Sequence, residues 1–131
     1  MTDAVYVDSS ALVKLVKEEV HSPALQRTLA THDLVVSSRL TEVEVHRAAR
    51  VANLSADHTA RADDALAGCD LAPVGDAVIA KARELASVRL RTLDAVHLAT
   101  ALMLRARWMV TYDRRLAEAA RELGLEVLSP A

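Results

Sequence analysis

Ala4-Val5-Tyr6-Val7-Asp8-Ser9-Ser10-Ala11-Leu12-Val13-Lys14-Leu15 is the stretch on which the fold turns. Residues 4–7 are apolar and rich in β-branched and aromatic side chains, the composition of a short buried strand. Asp8-Ser9-Ser10 is a helix N-cap cluster, and apolar residues recur with helical spacing over 11–20. Strand, polar cap, then helix is the start of a β-α-β unit, and the alternation recurs downstream. Further strands are expected at 34–36, 69–74, 108–111 and 125–128, with Pro73 confining the third to an edge or an end. Helices are expected at 22–30, 39–54, 55–67, 77–88, 93–106 and 113–123. Ser37-Ser38, Gly75-Asp76 and Thr92 would open three of them, and Gly68 and Gly124 would close two. This order predicts an α/β fold of three α/β/α layers, with a central parallel sheet and helices on both faces.

Composition narrows the function. The 131 residues fit one domain, 1–131, without repeat, low-complexity run or linker. A 52% hydrophobic chain is too apolar to be disordered. The lone Cys69 excludes an intramolecular disulfide and a multi-cysteine zinc site. With 16 basic against 18 acidic residues, no overall positive field attracts a polyanion, so a local patch or bound cations would have to. Asp3 and Asp8 stand where a secretory signal carries basic residues and then an apolar run. The greasy stretch 96–104 is too short to span a bilayer. A cytoplasmic protein with no membrane contact is therefore expected. Tyr6, Trp108 and Tyr112 are the only aromatics, too few for a base-stacking platform. Three glycines leave no phosphate-binding loop.

In open α/β sheets, ligands sit beyond the carboxyl ends of the strands. Asp8 directly follows the first strand, and Asp113 comes two residues after Thr111. Asp94 lies in the first turn of a helix, and Glu42 and Glu44 in the first turns of the helix after the second strand. Each alone reads as a cap or a partner of the helix dipole. Asp76 also follows a strand and opens a helix, and periodicity does not separate it from Asp8. Together the acids say more. Carboxylates crowded into a half-buried crevice must either protonate or bind a cation. Oxygen-only donors suit Mg²⁺ or Mn²⁺, the ions of phosphodiester hydrolysis.

Four segments carry a resemblance. Residues Val5-Tyr6-Val7-Asp8-Ser9-Ser10-Ala11-Leu12-Val13-Lys14-Leu15 resemble the opening motif of PIN-domain ribonucleases, and specifically of VapC toxins from toxin–antitoxin pairs. Thr41-Glu42-Val43-Glu44-Val45-His46-Arg47-Ala48 is similar to the helix of their second acid. Leu90-Arg91-Thr92-Leu93-Asp94-Ala95-Val96-His97-Leu98-Ala99-Thr100-Ala101 resembles their third motif, and Val110-Thr111-Tyr112-Asp113 their last. The order and spacing match over nearly the whole chain. The resemblance implies an RNA-cleaving, Mg²⁺- or Mn²⁺-dependent endonuclease in which Asp8, Asp94 and Asp113 hold divalent ions. It also implies a homodimer inhibited by a VapB-type antitoxin. Arg-Ala three and four residues after the second acid selects Glu44, followed by Arg47 and Ala48, over Glu42. Glu44 also shares a helical face with Leu40, Ala48 and Val51, which is expected to point inward, whereas Glu42 is expected in solvent. Thr111 matches the hydroxyl residue that supports the pocket.

Other candidates read as structural. His97 lies on the face of Asp94 and is expected to be satisfied within its packed helix. Glu42 and His46 form an i, i+4 surface pair. Ser9 and Ser10 lack the pattern of a nucleophile and are expected to cap. Arg114 and Arg115, beside Asp113, either meet RNA phosphates or lie in solvent. A receiver-like or phosphatase domain would need a lysine after a late strand, and only Lys14, Lys17 and Lys81 exist. A PIN-fold binding module without turnover is the other rival, opposed by the presence of all four acids.

Overall fold

The computed structural model describes residues 3–52, 56–85 and 90–131. Among them, five strands form one sheet: β1 (Val5–Val7), β2 (Val35–Ser38), β3 (Asp70–Ala72), β4 (Trp108–Val110) and β5 (Glu126–Leu128). All neighbours are parallel, in the order β3-β2-β1-β4-β5. Val5 lies opposite Val35 on one side and Trp108 on the other. The helices are α1 (Ser9–Val16), α2 (Ser22–Ala30), α3 (Arg39–Ala52), α4 (Ala56–Ala67), α5 (Asp76–Glu84), α6 (Thr92–Met103) and α7 (Arg114–Glu122).

The layers follow from the two-residue period of β1. Val5 and Val7 join Leu12, Leu25, Val45 and Leu66 in one core, under α1 to α4. Ala4 and Tyr6 join Leu98, Met109, Leu116 and Leu125 in the other, under α6 and α7. α5 packs on α6 through Val78, Val96 and Ala99. This is the three-layer α/β/α arrangement expected. No helix among the described residues is long and apolar enough to cross a membrane.

Boundaries differ where side chains or turns intervene. α1 ends at Val16, short of residue 20. The Ser22 hydroxyl donates to the Lys14 carbonyl (2.6 Å), and Lys14 Nζ pairs with Glu19 (2.7 Å), which turns the chain. β3 is confined to Asp70–Ala72 at the sheet edge, in keeping with Pro73. α6 stops at Met103 rather than 106. Arg105 adopts a left-handed φ of 56°, and the Ala106 N–H reaches back to the Ala101 carbonyl. Gly124, at φ 91°, closes α7 with the same pattern, Leu125 N–H to Ala120 carbonyl. Thr92 is the first helical residue of α6, and Arg91 is its N-cap. The expected helix ends at Leu54 and Val88, and the start at Ser55, lie outside the described residues.

Candidate active site

The chain runs from β1 outward to β2 and β3, then returns to place β4 on the other side of β1. That reversal is a topological switch point, where a crevice opens past the carboxyl ends of the two strands. Asp8 and Asp113 flank it. Asp8 is 3% exposed and caps α1, accepting the Ala11 N–H on Oδ1 (3.0 Å). Its own N–H bonds the Val110 carbonyl (3.3 Å), tying it to β4. The Ser10 hydroxyl donates to the Asp8 carboxylate (2.7 Å), and the Thr111 hydroxyl donates to Oδ2 (2.6 Å). Burial pushes the Asp8 carboxyl above the usual carboxylate range, against the opposing effect of the Thr111 and Ser10 donors.

Asp113 caps α7, accepting the Leu116 N–H (2.9 Å). Its backbone N–H donates to Thr111 Oγ1 (3.0 Å), so one hydroxyl braces both acids. Ser10 Oγ accepts the Tyr112 N–H (3.0 Å), a second tie between α1 and the loop after β4. Asp94 sits half-buried in the first turn of α6. Its carboxyl is raised by burial first, then by the negative charges of Asp113 and Asp8. Asp94 thus feels the charges of both other aspartates. Glu44, on α3, approaches from the β2 side, and its Oε1 lies 2.6 Å from His97 Nε2. Among the described residues no group of three or more histidine, cysteine, aspartate or glutamate side chains is placed to hold a metal ion.

Several expectations need correction. The inward face of α3 is Thr41, Val45 and Ala49, and Val51 is 88% exposed, so the face assigned to Glu44 was rotated by about one residue. Glu44 flanks the buried face, where it reaches His97. Glu42 does not pair with His46: it bonds Arg39 (2.6 Å), while His46 bonds Asp63 of α4 (2.8 Å). His97 is not satisfied within its own helix, because Tyr6 Oη of β1 meets its Nδ1 (2.7 Å) and Glu44 of α3 its Nε2. The helical offset from Asp94 was the available signal for His97. Asp8, rather than Ser9 or Ser10, caps α1, and Ser10 lies within the helix and touches Asp8 directly. Arg114 and Arg115 are exposed at the start of α7, and Asp76 is exposed near the sheet edge. Burial and Asp70 push the Cys69 thiol up to about 11, so it is not a thiolate at neutral pH.

A family profile described as PIN domain matches residues 5–122. The chain belongs to the PIN-domain family. Ribonuclease VapC46 of Mycobacterium tuberculosis is 45% identical to this PIN-domain chain over 130 residues, covering 98% of each. A toxin-antitoxin complex from Klebsiella pneumoniae contains a chain of the same fold, at TM-score 0.75 and 20% identity over 97% of this chain and 98% of that one. Mycobacterium tuberculosis VapC20, described as a sarcin-ricin loop cleaving toxin, matches at TM-score 0.75 and 16% identity, over 88% and 94%. At such identities the two structures speak for the PIN fold alone. The resemblance read from four segments of sequence is borne out.

Proposed function

We infer that this PIN-domain chain, one domain over 1–131, is an endoribonuclease toxin of the VapC type that hydrolyses RNA phosphodiester bonds. A match of 45% identity over nearly the full length to a named VapC ribonuclease supports the activity. The observation that carries the site is the pair of Asp8, a carboxylate buried at the switch point, and Asp94, whose carboxyl feels the charges of both Asp113 and Asp8.

Asp8, Asp94 and Asp113 are the residues that would hold divalent ions, with Glu44 completing the acidic pocket. Their donor set fits in kind: all are oxygens, and Mg²⁺ or Mn²⁺ completes its shell with retained waters. When bound, such an ion supplies Lewis acidity and positive charge at the scissile phosphate. The protein supplies position. Thr111 and Ser10 hold the Asp8 carboxylate, and Thr111 sets the start of the Asp113 loop, so the two strand ends cannot drift apart. Arg114 and Arg115 place exposed positive charge beside Asp113, where RNA phosphates would pass. The same reading includes a cytoplasmic homodimer silenced by a VapB-type antitoxin.

The test is cleavage of cellular RNA with Mg²⁺ or Mn²⁺ by the wild type, Asp8→Asn and Asp94→Asn. Cutting that a chelator stops and either substitution abolishes is expected. Metal-dependent cutting that survives both substitutions would overturn these roles, and a wild type that binds RNA without cutting would leave only a binding module. Sequencing the new 5′ ends would name the RNA.

A further inference from the structure

His97 is 2% exposed in a helix whose other buried side chains are small, aliphatic or threonine. Burying an imidazole is costly unless both nitrogens are satisfied, and an aliphatic side chain would fill the space without that cost. Here both nitrogens are engaged, each from a different layer of the fold. Tyr6 Oη, on the central strand two residues before Asp8, lies 2.7 Å from Nδ1, and the two rings meet edge to face at 70°. Glu44 Oε1, on α3, lies 2.6 Å from Nε2. We propose that Tyr6 and His97 act as a positioning pair that fixes the Glu44 carboxylate for the chemistry of the acidic pocket.

The hydrogen-bond arithmetic supports this. With Glu44 ionised its oxygens can only accept, so a neutral ring carries its proton on Nε2 and the Tyr6 O–H donates to Nδ1. When the ring is charged, both nitrogens carry protons. In either case Nε2–H donates to Glu44 Oε1. Tyr6 is fully buried and held in β1, so the ring cannot swivel away. Glu44, 23% exposed at its side chain, also lines an open cleft of about 420 Å³ together with Ser9, Ser10 and Lys14. A free glutamate there would sample several rotamers, and the bond from His97 removes that freedom before any ion or RNA arrives. His97 is thus a positioning residue, acting through Glu44 rather than on substrate.

This inference rests on the reading of Glu44 as part of the pocket, and the test separates the two. Mn²⁺ affinity by calorimetry, kcat and KM on RNA, and melting temperature are measured for wild type, His97→Leu, His97→Gln, Tyr6→Phe, Glu44→Gln and the His97→Leu/Glu44→Gln double variant. His97→Leu is expected to weaken Mn²⁺ binding about tenfold and to lower kcat similarly with KM unchanged. His97→Gln, whose amide N–H replaces Nε2–H, is expected to recover most of that loss. Tyr6→Phe should show a smaller loss in the same direction. In the Glu44→Gln background His97→Leu should add nothing, since both act through one carboxylate. A folded His97→Leu with unchanged affinity and kcat overturns the proposal. So does a loss that adds in full to that of Glu44→Gln, or one that tracks melting temperature and is not rescued by glutamine. Should His97→Leu fail to fold, Tyr6→Phe and His97→Gln decide by the same criteria. A wild type that neither binds Mn²⁺ nor cuts RNA sinks the ribonuclease reading and the positioning pair together, whereas a normal His97→Leu beside an inactive Asp8→Asn sinks the pair alone.

Discussion

Asp8 and Asp76 both stand just past a parallel strand at the start of a helix, but their surroundings differ. Asp8 leaves β1, which has β2 on one side and β4 on the other. Asp76 comes after β3, an edge strand, which among the described residues has β2 as its one neighbour in the sheet. Asp8 therefore receives a hydroxyl from the loop after β4, and its charge reaches Asp94 on α6. Asp76 is exposed, and the N-cap of its helix is Gly75. The same local chemistry becomes a candidate site in one place and a helix start in the other. What decides between them is strand order, which only long-range pairing can set.

The largest break in this comparison should come from Asp8→Asn, expected to reduce RNA cleavage roughly a thousandfold or more, the scale of losing one member of a catalytic set. Asp76→Asn, assayed in parallel, should leave the rate unchanged. Equal losses from both would erase the distinction. Next is Thr111→Val, which deprives Asp8 Oδ2 of its donor and the Asp113 N–H of its acceptor inside a fully buried position. A loss of about 1–3 kcal/mol in chemical denaturation is expected, with Thr111→Ser close to wild type.

A third prediction has the opposite sign. The Asp94 carboxyl is raised in the folded protein, so ionising it costs more there than in the unfolded chain. That penalty is absent at low pH, grows as pH rises through the carboxylate range, and is complete at neutral pH. In chelator at pH 7, Asp94→Asn should melt higher than wild type, with the gap closing on acidification. A lower melting temperature at pH 7 would contradict it. Smallest is Glu42→Gln, which breaks only the exposed pair with Arg39. Stability should change by less than about 0.5 kcal/mol and cleavage not at all, in contrast to Glu44→Gln.

Local signals were readable where a segment's own residues settle its structure. Residues 22–30 form the expected helix because Pro23 sits in its first turn, and the β1–Asp8–α1 passage follows directly from an apolar run and a cap. Position near a strand end or a helix start offered Asp8, Asp94, Asp113 and Glu44 but also Asp76 and Glu42, and it was the four resembling segments that singled out the first set. The face of α3 was less secure, since a helix border residue and a buried one differ by a single step of 100°, and Val51 fell on the wrong side. The link from Tyr6 to His97 to Glu44 was out of reach. Its partners are 91 and 53 residues apart, and no short-range periodicity encodes which buried polar groups meet across a sheet.

The pairing of Val5 with Trp108 has a bearing on biosynthesis. A nascent chain that has left the ribosome only as far as β3 carries Asp8 and Glu44 but neither Asp94 nor Asp113. Its central strand is still open along the side that β4 will close, and joining ends so distant in the chain is intrinsically slow. If the four acids serve as proposed, they come together only among the final events of translation, and a truncated or stalled product would be inert toward the RNA around it.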